Sequence, residues 1–520
     1  MQNPKSWKII GAISIVGSIF LLAPLVYLIA NGAPGIFAIK NLWGKSGQSF
    51  ALLFLTLLFS FVLAYGNACY LVLCKRKKLQ LLLLLLPLSF PTYIMAFNWA
   101  MLWDFIAELI PWISRSSIKS LLGLSLVCSF CLYPYILLPL YLFSKSQLNS
   151  IVAQSIANGL PLGKTFRKVI GPLSMVPASL GAALVGYELL NDYGAAKYYG
   201  VSTLTTQIFK SWFGKNDVAE ALALAFILLV AVLLVKFIAS LLRKNSMQDS
   251  HKSRLPDLSF PAPAYLRKGL KAFFIFTLLV SLILPVFGML YGLYFDWEKQ
   301  NWGQLWEASL NSFYLAFITS LLVICLVYLL SFSSSFLNFK AAKTLEKILA
   351  IGYSIPGAVI AVGVLGMGLY FLKSIAKSNP DLAVNLNNSL LFLLFGLAFK
   401  LYSVAYPNVE GAWQKFGIRQ KLAIKSFYPF RTFNPITRII HPQLQPFLLA
   451  GMLFIFIDAL KELPLTLILR PFNFETLAVK AFNLVEDEFL YRSAPYSLII
   501  SLFCGLGILV FNRLQDLDKD

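Results

Sequence analysis

The sequence predicts an all-α membrane protein of ~12 transmembrane helices, arranged as two homologous six-helix halves. The prediction rests on its composition, the spacing of its apolar runs, and an internal repeat near 270 residues. Of 520 residues 58% are hydrophobic and only 13% charged, and the mean hydropathy is +0.73. Soluble domains carry about 25% charged residues, and disorder needs low hydrophobicity, so both classes are excluded. The formal net charge of +21 is not a nucleic-acid footprint, because the basic residues punctuate long apolar runs and form no stripe on a polar surface.

A bilayer core takes ~20 mostly apolar residues per helix. Such runs fall near 9–31, 50–74, 79–103, 120–143, 173–195 and 217–241, and again near 270–293, 308–331, 346–372, 388–406, 444–465 and 494–512. The run at 79–103 holds Pro87 and Pro91 and reads as one kinked span, which a packed bundle tolerates. Lys5 and Lys8 before the first apolar run resemble a signal peptide, but no small-residue cleavage site follows, so this segment reads as an uncleaved first helix. With the N-terminus inside, inner segments hold 30 of the 44 Lys and Arg residues, Lys400 among them. The positive-inside rule then puts both termini in the cytoplasm. The one polar linker, 243–268, separates halves 1–242 and 269–520.

The halves share more than span count. At a shift of 270, Ala153 meets Ala423, Lys168 meets Arg438, Val169-Ile170 meets Ile439-Ile440, and Pro172 meets Pro442. The next span continues the register, with Glu188 and Asp192 opposite Asp458 and Glu462. Thr203-Leu204 resembles Thr476-Leu477, and Phe90-Pro91 resembles Ile355-Pro356, at shifts of 273 and 265. A repeat that keeps loop lengths, prolines and carboxylates implies duplicated architecture. Both halves start inside, so they pair about an axis along the membrane normal with a pathway between them.

The loop Ala153–Pro172 resembles the EAA loop of ABC importer permeases. Gly159 and Pro172 keep that motif's separation, while Ala153 and Ala423 replace its glutamate and Pro429 its second-copy glycine. The stretches Asn191–Thr206, opening Asn191-Asp-Tyr-Gly-Ala-Ala, and Asp458–Ala478, opening Asp458-Ala-Leu-Lys-Glu-Leu-Pro464, resemble the ferric-iron permease family. The resemblance implies a fused type I importer subunit with permease cores near 48–242 and 308–512. It implies a bacterial inner-membrane location, a periplasmic iron-binding protein, and two copies of a separate ATPase. No cofactor and no catalytic or resident metal site is expected on this chain.

Ala153, Ser155, Ala157 and Gly159, with Ala423, Ser426 and Pro429, are the expected ATPase-coupling surfaces, each closed by its proline, Pro172 or Pro442. Short helices with small residues suit docking into a partner groove. Glu188/Asp192 and Asp458/Glu462 are i,i+4 pairs, so each pair is expected on one helix face. They either line and gate the outer part of the pathway, favouring a cation, or pair structurally with neighbours such as Lys461 or sit exposed at the membrane edge; Pro464 follows in the same motif. Glu486-Asp-Glu488 is either a docking contact for the binding protein or a solvated loop. Tyr193, Tyr198 and Tyr199 are belt residues or iron-contacting phenols.

Other motifs carry less. Asn158-Gly-Leu-Pro-Leu-Gly-Lys-Thr165 lacks the first glycine of a P-loop, so the energy source is expected on another chain. Cys128 and Cys131 have CxxC spacing but apolar neighbours, and read as buried thiols. With only His251 and His441, a histidine metal centre is not expected. The competing functions are a permease for polyamine, thiamine or sulfate, a proton-coupled secondary transporter, and a membrane-embedded enzyme.

Overall fold

The computed structural model describes residues 5–39, 41–73, 77–110, 112, 114–244, 264–416 and 439–517. It is helical throughout, with no strand among the described residues. The first half comprises α1 (Lys5–Gly32), α2 (Leu42–Leu73), α3 (Lys77–Leu85), α4 (Thr92–Leu109), α5 (Leu121–Ala157), α6 (Leu162–Thr165), α7 (Gly171–Asn191), α8 (Gly194–Tyr198), α9 (Leu204–Phe209) and α10 (Val218–Lys244). The second comprises α11 (Ala264–Leu278), α12 (Leu284–Phe295), α13 (Trp302–Ser335), α14 (Lys340–Leu349), α15 (Gly357–Ala376), α16 (Pro380–Asn387), α17 (Leu391–Lys415), α18 (His441–Leu460), α19 (Pro464–Leu469), α20 (Leu477–Glu486) and α21 (Ala494–Leu517). α10 ends at Lys244 and α11 starts at Ala264, so helices run into the expected linker from both ends.

Eleven described helical segments are long and apolar enough to span a bilayer, and one sharply bent pair makes a twelfth. That pair corrects the expected kinked span at 79–103: α3 with its 3₁₀ extension and α4 meet at 91°. Pro87 lies in the 3₁₀ turn Leu86–Ser89, and Pro91 holds Phe90 extended before α4 begins. A proline removes an amide donor and bars its predecessor from helical geometry, so two prolines this close break the helix. The second half repeats the break. Ile355 is extended before Pro356, and the expected span 346–372 starts only at Gly357. Its first residues belong instead to α14, an amphipathic helix that buries Ala342, Leu345 and Leu349 and exposes Lys340, Lys343 and Lys347.

The repeat extends to hydrogen bonds. Ser49 accepts the Leu204 amide at 2.7 Å, and Ser312 accepts the Leu477 amide at 2.7 Å. Thr203 and Thr476 cap α9 and α20 alike. The halves are interlocked, not side by side. α1 packs along α13, α14 and α15 of the other half, with Ser14 and Ser333 hydroxyls 2.9 Å apart. Reciprocally, α11 packs on α2, where Asn67 donates to Thr277 at 3.1 Å.

Candidate functional site

Four helix breaks converge on one cavity between the halves. α7 stops at Asn191 and α18 at Leu460, while α4 and α15 start beside them. Breaks leave backbone amides and carbonyls unpaired, and polar side chains gather to satisfy them. The cavity has a volume of about 70 Å³, and Glu188, Asp192, Asp458, Glu462, Lys400 and Lys461 all reach it. Asp192 and Glu462 therefore do not share a continuous helix face with Glu188 and Asp458. Each lies just past its helix end, Asp192 with extended backbone. They meet their partners at the cavity because the chain turns there.

The repeat is broken in its chemistry. Asp192 accepts from the Thr92 hydroxyl and from the Ala195 and Ala196 amides at 3.0 and 3.1 Å. Its counterpart Glu462 accepts from Lys400 Nζ at 2.6 Å and from the Leu465 amide at 3.3 Å. Thr92 is matched by Gly357, where a Cβ would collide with Glu462 Oε1. The smaller residue makes room for the longer acid and its lysine. Asp458 pairs with Lys461 at 2.7 Å, the structural pairing that is one of the two readings of these acids. Glu188 and Asp192 make no ion pair among the described residues. Glu188 Oε1 instead accepts from the phenols of Tyr353, at 2.5 Å, and Tyr135, at 3.2 Å. Asn191 spans the interface, accepting from the Gly357 amide at 2.6 Å and Lys400 at 3.4 Å. Pro464 lines the cavity at the start of α19.

Lys400 corrects the charge map. The positive-inside count places it with the cytoplasmic basic residues, yet it lies in mid-α17 and is 3% exposed. Its place is legible in the repeat: Lys400-Leu-Tyr402 matches Cys131-Leu-Tyr133 at a shift of 269. Cys131 lines the same cavity, its thiol donating to the Phe90 carbonyl at 3.0 Å. Tyr135 and Tyr353 are absent from the sequence candidates; Tyr353 stands just ahead of the second-half break at Pro356. Of the three candidate tyrosines, Tyr193 lines the cavity but stacks on Phe209 at 3.7 Å. Tyr199 donates to the Ala96 carbonyl at 3.2 Å, and Tyr198 lies under Lys119. Glu486 pairs across the halves with Lys197 at 3.7 Å.

The expected coupling surface in the first half is continuous with α5, which runs through Ala157 and is not a separate short helix there. Gly159 follows with φ +73°, and the Leu160 amide bonds back to the Ser155 carbonyl at 3.0 Å. This is a Schellman-type C-cap, in which a left-handed glycine ends the helix. Ser155 is buried, Ala157 and Gly159 are exposed, and Pro172 and Pro442 occupy the first turns of α7 and α18. Ala423, Ser426 and Pro429 lie outside the described residues. A Cβ at Gly159 would meet nothing within 4 Å, so only backbone conformation opposes substitution there. Gly159→Val is expected to strain the cap by ~1 kcal/mol or more and to lower the thermal unfolding midpoint of the membrane-inserted protein. Gly159→Asn, which tolerates left-handed geometry, should be milder. Equal, wild-type midpoints in both variants would mean that the left-handed glycine does not hold the end of α5.

Comparison with known proteins gives an informative match. The chain is 22% identical over 434 residues to the Fe(3+)-transport system permease protein FbpB 2 of Haemophilus influenzae, covering 82% of this chain and 81% of that one. No family model matches, and no solved structure does. The similarity to a ferric-iron transport permease thus extends over four-fifths of the chain, and the apolar helices are those of a multi-pass membrane protein.

Proposed function

We propose that this chain is the translocating subunit of an ATP-driven importer. It would carry ferric iron, delivered by a periplasmic binding protein, across the bacterial inner membrane, with two copies of a separate ATPase engaging the loops at 153–172 and 423–442. The observation that carries the reading is the cavity between the halves, with four carboxylates and two lysines on its wall. Ionisable groups in a membrane span normally mark a substrate pathway. The acids exceed the lysines by two, which disfavours an anion such as sulfate. The space of about 70 Å³ admits a small ion with a few waters. The incomplete P-loop at 158–165 sits across a helix cap and the short α6, without the preceding strand of a nucleotide site, which supports an ATPase on another chain.

The test is uptake of labelled ferric iron by cells lacking the native chain and complemented with it. Uptake should require ATP, and Glu188→Gln and Asp192→Asn should each lower it by about tenfold at unchanged protein level, the scale of one lost charge-assisted contact. ATP-independent uptake would favour a secondary transporter, and wild-type uptake by both variants would discard the cavity as the pathway.

A further inference from the structure

We propose that Glu188, Tyr135 and Tyr353 form an oxygen-donor site that holds the ferric ion in transit. This deepens the iron reading above and rests on it. Two phenols, one from each half, reach the same carboxylate oxygen, Glu188 Oε1, at 3.2 and 2.5 Å. A small octahedral cation with metal–oxygen bonds of ~2 Å sets adjacent ligand oxygens about 2.8–3 Å apart. The spacing that now holds two shared protons is therefore that of neighbouring ligands on one ion. Among the described residues no trio of His, Cys, Asp and Glu is placed to hold a metal. At this cavity one carboxylate oxygen, Glu188 Oε1, lies within hydrogen-bond distance of two phenol oxygens, one from each half. Hard oxygen ligands suit a hard, highly charged cation better than the thiol of nearby Cys131.

The asymmetry of the two halves points to the same place. In the second half the equivalent acid, Asp458, is neutralised by Lys461, and Glu462 by Lys400. An incoming cation meets no net charge there and is attracted to Glu188 and Asp192. Binding is a ligand exchange with no change in oxidation state. Two hydroxides on the arriving ferric ion each take one phenol proton and leave as water, and the two phenolate oxygens take their positions on iron. Tyr353 lies on the opposite half from Tyr135 and Glu188, so the three donors stand together only while the halves are closed. Parting the halves removes one ligand and weakens the hold, as a transit site requires.

The test uses the full chain purified in lipid nanodiscs and titrated with ferric citrate, read by visible absorption. Phenolate–iron(III) coordination produces a charge-transfer band, and aluminium citrate should give none. The wild type should show the band, Tyr135→Phe and Tyr353→Phe should each weaken it with at least tenfold lower iron affinity, on the scale of perturbing a metal site, and the double variant should abolish it. Tyr328→Phe, on α13 and away from this cavity, should leave it unchanged. An undiminished band in the double variant, or no band in the wild type, overturns the site. Normal iron uptake in cells by the double variant overturns it while leaving the iron-permease reading intact. Absence of iron uptake by the wild type removes that reading itself.

Discussion

Lys400→Met is expected to lose most of its folded protein, and Lys400→Met/Glu462→Gln to recover it. The pair is 3% and 6% exposed, with Nζ 2.6 Å from the carboxylate. Removing one member of a buried ion pair leaves an uncompensated charge and costs ~3–5 kcal/mol, whereas removing both charges is often near neutral. Total membrane-inserted protein and its thermal unfolding midpoint give the measurement. A single variant as stable as the wild type would mean that Glu462 takes up a proton or water at little cost, and that the lysine is not what neutralises the second half. The double variant separates folding from transport: it restores neutrality at this position without the ammonium. Loss of uptake with recovered stability would show that Lys400 also shapes the field the substrate crosses.

Gly181→Val is expected to be nearly as damaging, by a different mechanism. α7 crosses α5 so closely at Gly181 that a Cβ would strike the Tyr135 carbonyl and the Ile136 backbone. Backbone cannot rotate away as a side-chain tip can, so the helices must separate. Overpacking of this kind costs ~1–3 kcal/mol. Separation would also draw Tyr135 on α5 away from Glu188 on α7, two turns beyond the contact. Gly186→Ala is the control on the same helix, since its Cβ would meet only Leu53 and Val235 side chains at 3.6 and 3.8 Å. The expected result is reduced folded protein and iron uptake for Gly181→Val, and near-normal values for Gly186→Ala. Equal tolerance would mean that α5 and α7 can slide without consequence.

The acids at 188, 192, 458 and 462 were legible because duplication leaves a register, and carboxylates in apolar runs stand out against it. Their pairing was not legible. Lys461 is three residues from Asp458 and visible as a neighbour, but Lys400 is 62 residues from Glu462 and looked like one more inner basic residue. Tyr135 and Tyr353 carried no sequence signal, since tyrosine is common at membrane interfaces. Only the meeting of α5, α7 and the turn before Pro356 gives them one shared acceptor.

By itself the sequence determined the class, the position of every span except the two that carry proline breaks, and the repeat. Apolar length, loop charge and self-similarity are properties of the chain, set by the thickness and low polarity of the bilayer. Tertiary structure decided three further things. It placed α1 on the second half and α11 on the first. It turned two proline-bearing spans into breaks that face one cavity. It left Glu188 and Asp192 without lysines while their counterparts gained them. Each depends on which segments distant in sequence come to lie against each other, and a charge in a low-dielectric interior is governed by its nearest neighbours in space.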